Sequence, residues 1–400
     1  MRFVARVTIA SLSIIALAVL ILFKPWSSSN RHAVARDPHV ELMGDLWDPV
    51  LFPPEKKEEK RKEDRKEDIT LEADKVDSSK SSRESPIRLS VVACGDRGKE
   101  TLVLLKTAAM FSKSRLFYHL FAEDHVKVEL KNELDTWPDV KGGRIGYDIH
   151  PITFPESQNA EEWKKIFKLC ATQRLFLPSL LKDVDSLIYL DTDILFLTPV
   201  ERLWSHFAQF NSTHAAALAP EGEDRATGWY NRFARHPYYG PLGVNSGIML
   251  MNLTRLRKTR WEEKVIKYYK EYKSKITWGD QDLINVIFHF HPDQLYLYPC
   301  EWNFRPDHCR YKNACPGAEK RVYMVHGNRQ LFHNNKEKNL QVFNALYDAF
   351  DAYRFGDDLT TSVKRTLHDI LPRHRTKSGC GEVVDGFLAG IDDAVLAGSV

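Results

Sequence analysis

The stretch Leu187-Ile188-Tyr189-Leu190-Asp191-Thr192-Asp193-Ile194-Leu195-Phe196-Leu197 sets the strongest limit on what this chain can become. Two carboxylates, one residue apart, interrupt an otherwise apolar run. Leu187 to Leu190 reads as a strand buried on both faces, as in a parallel sheet covered by helices. Burying two carboxylates without partners is costly. They are therefore expected where the strand ends, at the mouth of a crevice of the kind in which open α/β sheets bind ligands. There, hard oxygen donors can share a divalent cation and hold it against a diphosphate. The plainer alternative is an acidic turn after a strand; the partners found further along the chain weigh against it.

The flanking sequence alternates strands with helices. Ile87 to Cys94 reads as a first strand, broken by Gly95-Asp96-Arg97-Gly98. A helix is expected from about Glu100 to Ser112, a strand from Leu116 to Ala122 and a polar helix from about Val126 to Trp137. A third strand is expected from Ile149 to Phe154, then a helix from Glu161 to Leu181 leading into the central motif. This order predicts an α/β fold with a doubly wound, mostly parallel mixed sheet. Gly95 would then sit at a carboxyl end, where a nucleotide can lie.

Past the motif come a short helix near Val200 to Phe207 and a buried strand, Ala215 to Ala219. Glu221 to Tyr239 is long, irregular and aromatic, as lids and substrate loops are. Asn245-Ser246-Gly247 precedes a strand at Ile248 to Asn252. These small residues would form a tight turn or let backbone approach a ligand closely. Asp280 opens an apolar helix, in its first turn or as a cap. His326 ends a strand that starts at Val322. Beside an Asp-x-Asp site, an imidazole is a candidate third metal ligand.

At 400 residues the chain permits one large α/β domain or two smaller ones. A net charge of only +3, with no basic face interleaved with aromatics, argues against a nucleic-acid partner. Arg2 and Arg6 precede an apolar run, Val7 to Phe23, closed by Lys24. It is read as an uncleaved signal-anchor helix rather than a cleaved signal peptide, because no small-x-small site follows. Residues 1–6 would be a cytosolic tail and 24–86 a disordered, charged stem, with Glu55 to Asp68 almost wholly charged. The remainder would be lumenal, at a single-pass membrane of the ER or Golgi. Sequons at Asn211 and Asn252 suit that location. An oxidising lumen favours disulfides. Two of Cys300, Cys309 and Cys315 are expected to pair, and Cys94 to be a small buried residue.

The ordered set of Arg174, Asp191-Thr192-Asp193, Asn245-Ser246-Gly247, Asp280-Gln281-Asp282 and His326 resembles glycosyltransferase family 8, retaining enzymes of GT-A fold. The resemblance runs from about 87 to 346, with 347–400 a C-terminal extension that carries no matched motif. Cys300-Glu301-Trp302-Asn303-Phe304-Arg305-Pro306-Asp307-His308-Cys309, with His326-Gly327-Asn328-Arg329, is most similar to the glucoside xylosyltransferases. That group moves xylose from UDP-xylose to O-glucose on EGF-like repeats in α1,3 linkage.

The resemblance implies metal ligands Asp191, Asp193 and His326, with Mn2+ or Mg2+ as cofactor. It implies donor contacts at Gly95, Arg174, Thr192, Asn245, Ser246 and Arg329, and catalytic positions at Gln281 and Asp280. It also implies a UDP-sugar donor and an O-glucosylated EGF-repeat acceptor. Arg329 stands where many members carry a lysine in His-x-x-Gly-x-x-Lys, and the family's Lys-Pro-Trp is absent. Trp229 or Tyr230 is expected to fill the space of the hydroxymethyl group that xylose lacks. Other readings are a transferase using UDP-glucose or UDP-galactose, a haloacid-dehalogenase-type phosphatase, or a non-catalytic glycan-binding scaffold. Leu195 departs from the phosphatase motif, which wants Thr or Val there.

Overall fold

The computed structural model describes residues 85–154, 172–310, 314–333, 340–375 and 380–398, with Trp163 and Cys170 besides. The expected tail, anchor and nearly all of the stem lie outside these residues. Among the described residues no helix is long and apolar enough to cross a membrane.

The sheet grows outward from the central apolar run. Strand β4 (Ser186–Leu190) is buried on both sides, as its sequence requires. Ile188 and Leu190 enter one core cluster, while Leu187 and Tyr189 enter the other. This is the period-two alternation of a strand with helices on both faces. β1 (Ile87–Ala93) lies parallel to β4 and to β2 (Leu116–Ala122), and β2 lies parallel to β3 (Ile145–Pro151). On the other side, β7 (Val244–Asn252) runs antiparallel to both β4 and β6 (Ala216–Pro220), and β8 (Leu295–Leu297) is parallel to β6. The order is β3-β2-β1-β4-β7-β6-β8. A second small sheet pairs β5 (Ile194–Phe196) with β9 (Met324–His326), antiparallel.

Helices α1 (Gly98–Phe111), α2 (Asp124–Leu134), α3 (Trp261–Tyr272) and α4 (Asp280–Phe290) cover the faces. Helices α5 (Gln341–Ala352) and α6 (Val384–Gly398) follow. Phe343, Leu346, Phe387 and Ile391 join the same core cluster as β1 and β5. The boundary drawn at 346 therefore falls inside α5, and the C-terminal segment is part of this core.

Four local expectations change. The third strand begins earlier, at Ile145, and ends at Pro151. Asn245, Ser246 and Gly247 form no turn: they lie within β7, where Asn245 pairs with Ala219 of β6, while the backbone of Ser246 and Gly247 bonds Gln281, Arg174, the Asn245 side chain and Asp191. The described end of the helix expected to reach Leu181 is a 3₁₀ turn (Gln173–Phe176) followed by one helical turn (Leu177–Leu180) with Pro178 near its start; the rest lies outside the described residues. Cys94 is not a lone buried thiol but is bridged to Cys170. Of the clustered cysteines, Cys300 pairs with Cys315, and Cys309 with Cys380.

Candidate active site

Asp191, Thr192 and Asp193 form the turn that leaves β4 and enters β5. Pairing of β5 with β9 places Ile194 opposite His326, so a histidine far along the chain arrives beside Asp193. The Gly327 N–H donates to the Asp193 carbonyl at 2.8 Å and locks that register. His326 Nε2 lies 3.4 Å from Asp193 Oδ1 and 3.9 Å from Asp191 Oδ2. One ligand atom from each of the three residues falls within 4.8 Å of the others.

The imidazole is aimed. Its Nδ1 bonds Asn303 Oδ1 at 3.0 Å, which turns Nε2 toward the carboxylates. A Cβ at Gly247 would run into the ring, so this glycine is the cradle for it. An orienting bond on the far nitrogen is what metal-ligating histidines require. Two carboxylates and one imidazole suit a hard to borderline divalent cation, and these residues fit one. Burial would raise the Asp193 carboxyl, but the adjacent His326 outweighs it and holds Asp193 below the usual carboxylate range.

Because β7 is antiparallel to β4, its first residues stand beside the last of β4. Asp191 N–H donates to the Gly247 carbonyl at 2.7 Å. Arg174 joins the two strands from beneath. It is 6% exposed, so it is no surface charge. Its Nη2 lies 2.9 Å from Asp191 Oδ1, its Nη1 donates to the Ser246 carbonyl at 2.5 Å, and its Nε faces Asp280 Oδ2. The guanidinium also lies over the Tyr189 ring, whose hydroxyl donates to Asp191 at 3.0 Å. Burial pushes the Asp280 carboxyl up to about 7, against the pull of Arg174.

Helix α4 begins at Asp280, after Gly279 at φ 65°, a left-handed value that glycine tolerates. That start delivers Gln281 to the cleft. Gln281 Oε1 accepts from the Ser246 N–H at 3.1 Å, and Nε2 donates to Glu221 Oε2 at 3.2 Å. Asp282 turns back instead. It accepts from the Thr277 and Trp278 N–H groups, each at 2.7 Å, and from the Tyr230 hydroxyl at 2.9 Å. Asn245 Nδ2 also reaches Glu221 Oε2, at 2.7 Å. Burial raises the Glu221 carboxyl.

The resulting cleft is about 320 Å³, at the lower end of the range of small-molecule sites. Arg174, Asp191, Asp193, Asn245, Ser246, Asp280, Gln281, His326 and Arg329 line it. Gly95 and Thr192 do not. Gly95 N–H donates to Glu123, and its carbonyl accepts from His125. Thr192 donates to Glu100 at 2.7 Å. Arg329 pairs with Asp307 at 3.2 Å. Of the two expected pocket fillers, Tyr230 is buried behind Gln281 and Trp229 lines a neighbouring cavity; the tryptophan in the cleft is Trp278. Sequence reasoning did not single out Glu221, Asn303 or Trp278. Glu221 opens the irregular segment already marked as a substrate loop, and that was its only signal. Asn211 is an exposed loop residue, whereas Asn252 caps a short helix through the Arg255 N–H.

A mixed sheet whose central strand ends in paired carboxylates over this cleft defines a GT-A-type glycosyltransferase. An active-site mutant of LgtC, a solved structure 14% identical, superposes with a TM-score of 0.51 over 64% of this chain and 94% of that one, which shows the fold. Residues 93–330 match the model for glycosyl transferase family 8, and the chain belongs to that family. Glucoside xylosyltransferase 1 of Gallus gallus is 49% identical over 314 residues, covering 76% of this chain and 71% of that protein. Glucoside xylosyltransferase 2 of Mus musculus is 49% identical over 318 residues, covering 76% and 70%. The phosphatase reading falls with the family match.

Proposed function

We propose that this enzyme transfers xylose from UDP-xylose to an O-linked glucose on an EGF-like repeat, in α1,3 linkage. The observation that carries the reading is the meeting of Asp191, Asp193 and His326 with the Asn245–Gly247 segment and Gln281, in a chain 49% identical to glucoside xylosyltransferases. Asp191, Asp193 and His326 would hold Mn2+ or Mg2+; charge neutralisation at the diphosphate is what such a cation supplies as the sugar–phosphate bond breaks. Three disulfides among the described residues support an oxidising compartment. With the apolar run at 7–23, they favour a lumenal domain on a type II anchor in the ER or Golgi.

The test is direct. Purified protein, manganese, UDP-xylose and an O-glucosylated EGF repeat should yield a product heavier by one pentose. Transfer from UDP-glucose or UDP-galactose but not from UDP-xylose would overturn the donor assignment; no transfer from any nucleotide sugar would leave the scaffold reading.

The side chains also favour a route to retention. Asp280 is held by Arg174, and Asp282 by two backbone N–H groups, Tyr230 and His236. Gln281 is an amide and a poor nucleophile. No carboxylate of this trio is free to attack the sugar. Acceptor attack on the face the diphosphate leaves, with the hydroxyl proton passing to the departing phosphate, is the route this arrangement favours. Intact-protein mass spectrometry of enzyme turning over without acceptor is expected to show no xylosyl adduct on Asp280 or Asp282; an adduct would sink this route.

A second cavity adjoins the donor cleft and shares Glu221, Trp278 and Arg329 with it. Trp229 and Trp278 stack there, ring centroids 4.0 Å apart. We assign it to the acceptor glucose, whose apolar face suits an indole. Trp229→Ala should raise the acceptor KM about tenfold, roughly 1.4 kcal/mol. Hydrolysis of UDP-xylose without acceptor should stay near wild type. An unchanged acceptor KM would remove the assignment.

A further inference from the structure

Away from the donor cleft, a different set of metal-competent side chains sits on the outer strands of the sheet. His119 on β2 pairs in register with Asp148 on β3, and His150 follows two residues later. All three therefore project from one face. One ligand atom from each lies within 4.8 Å of the others. His119 is only 5% exposed. Its Nδ1 and the Nε2 of His150 are both shielded from solvent, and neither has a hydrogen-bond partner among the described residues. The two rings are stacked, centroids 6.0 Å apart. Two orphaned imidazole nitrogens beside a carboxylate are unfavourable as they stand, and a cation would satisfy both.

We propose that His119, Asp148 and His150 form a second metal site, selective for a borderline transition cation of the zinc class. The donor sets of the two sites differ in the required sense. Two imidazoles and one carboxylate suit zinc, whereas the two carboxylates and one imidazole of the donor cleft are harder. Three protein ligands leave a fourth position for water.

Arg88 opposes the site. Its Nη1 stands 3.2 Å from His119 Nε2, and its guanidinium lies 5.1 Å from the Phe117 ring centroid. Arg88 donates to Nε2, which leaves the ring proton on Nδ1. Ligation through Nδ1 moves that proton to Nε2 and turns Arg88 aside. Because β3 is the edge strand, the cation would clasp it to β2.

The experiment is equilibrium dialysis of the full-length protein, stripped with chelator, against zinc in excess manganese. Wild type is expected to keep one zinc per chain. His150→Ala and Asp148→Ala, at half-buried and exposed positions, are expected to weaken retention at least tenfold, and Arg88→Ala to tighten it severalfold. Asp148→Ala should keep manganese-dependent transfer. Thermal melts establish that each variant is folded; if His150→Ala is not, Asp148→Ala decides alone. No stoichiometric zinc in wild type, or zinc kept by Asp148→Ala, overturns the proposal. So does zinc lost in Asp191→Ala but kept in His150→Ala, which would place the ion in the donor cleft.

Discussion

Asp193→Ala and Asp191→Ala are each expected to lower kcat/KM for xylosyl transfer by about three orders of magnitude. The diphosphate leaves as a multiply charged group, and losing a metal that neutralises it forfeits several kcal/mol of transition-state stabilisation; each ~1.4 kcal/mol is a factor of ten. The two variants should differ in stability. Asp193 is held mainly by His326 and its own turn, so its loss should leave the fold intact. Asp191 also accepts from Tyr189 and pairs with Arg174. Its loss removes one of the three polar partners of a buried guanidinium, and Asp191→Ala should melt at lower temperature than Asp193→Ala. Calorimetry of UDP binding with and without manganese provides the second readout. Metal-enhanced binding in wild type should vanish in both variants. Turnover near wild type in either would remove the metal from the mechanism.

How much of this was legible beforehand depends on whether a residue's role is local. β1, β2 and β4 were readable because burial on both faces makes them mostly apolar runs, broken only by Arg88, Ser90 and His119 in β1 and β2 and by Ser186 at the start of β4. β3 is an edge strand whose one fully buried residue, Ile145, is followed by Gly146, Tyr147 and Asp148, too little apolar pattern to mark its start. Asn245-Ser246-Gly247 has turn composition, yet it is strand because Ala219 of β6 pairs with Asn245 and Asp191, just past β4, bonds the Gly247 carbonyl, partners that no sequence window contains. Cys94 pairs across 76 residues, a separation at which connectivity has no local signal. Within the cleft, chemical character was visible in Asp191, Asp193 and His326. Of the residues that orient them, Arg174 was named but as a donor contact, and Asn303 was not singled out. Asn303 matters because its amide meets His326 and Asn245 at once. Glu221 matters because two amides converge on one of its oxygens.

The same dependence on tertiary context governs Arg174, whose replacement by Ala is expected to be the most damaging single change to the fold of this site. One guanidinium faces two buried or half-buried carboxylates and a backbone carbonyl from three separate segments. Removing one partner from a buried ion pair costs about 3–5 kcal/mol, because the other charge is left uncompensated. The loss should depend on pH, with a definite sign. Burial already lifts Asp280 to about 7 with Arg174 present, and without the guanidinium its carboxyl must rise further. A carboxyl whose folded value exceeds its unfolded value of about 3.9 binds more protons in the native state between those two values, so stability falls as pH rises through that window. Arg174→Ala should therefore melt closest to wild type near pH 5 and furthest from it at pH 8, measured in metal-free buffer. Arg174→Ala combined with Asp280→Ala should recover part of the deficit at pH 8, since the stranded carboxylate is gone. Transfer should remain impaired in the double variant, because Asp191 and the Ser246 carbonyl still lack the cation that joins them. A pH-independent deficit, or a double variant no more stable than Arg174→Ala, would mean that Arg174 acts through packing on Tyr189 rather than through charge.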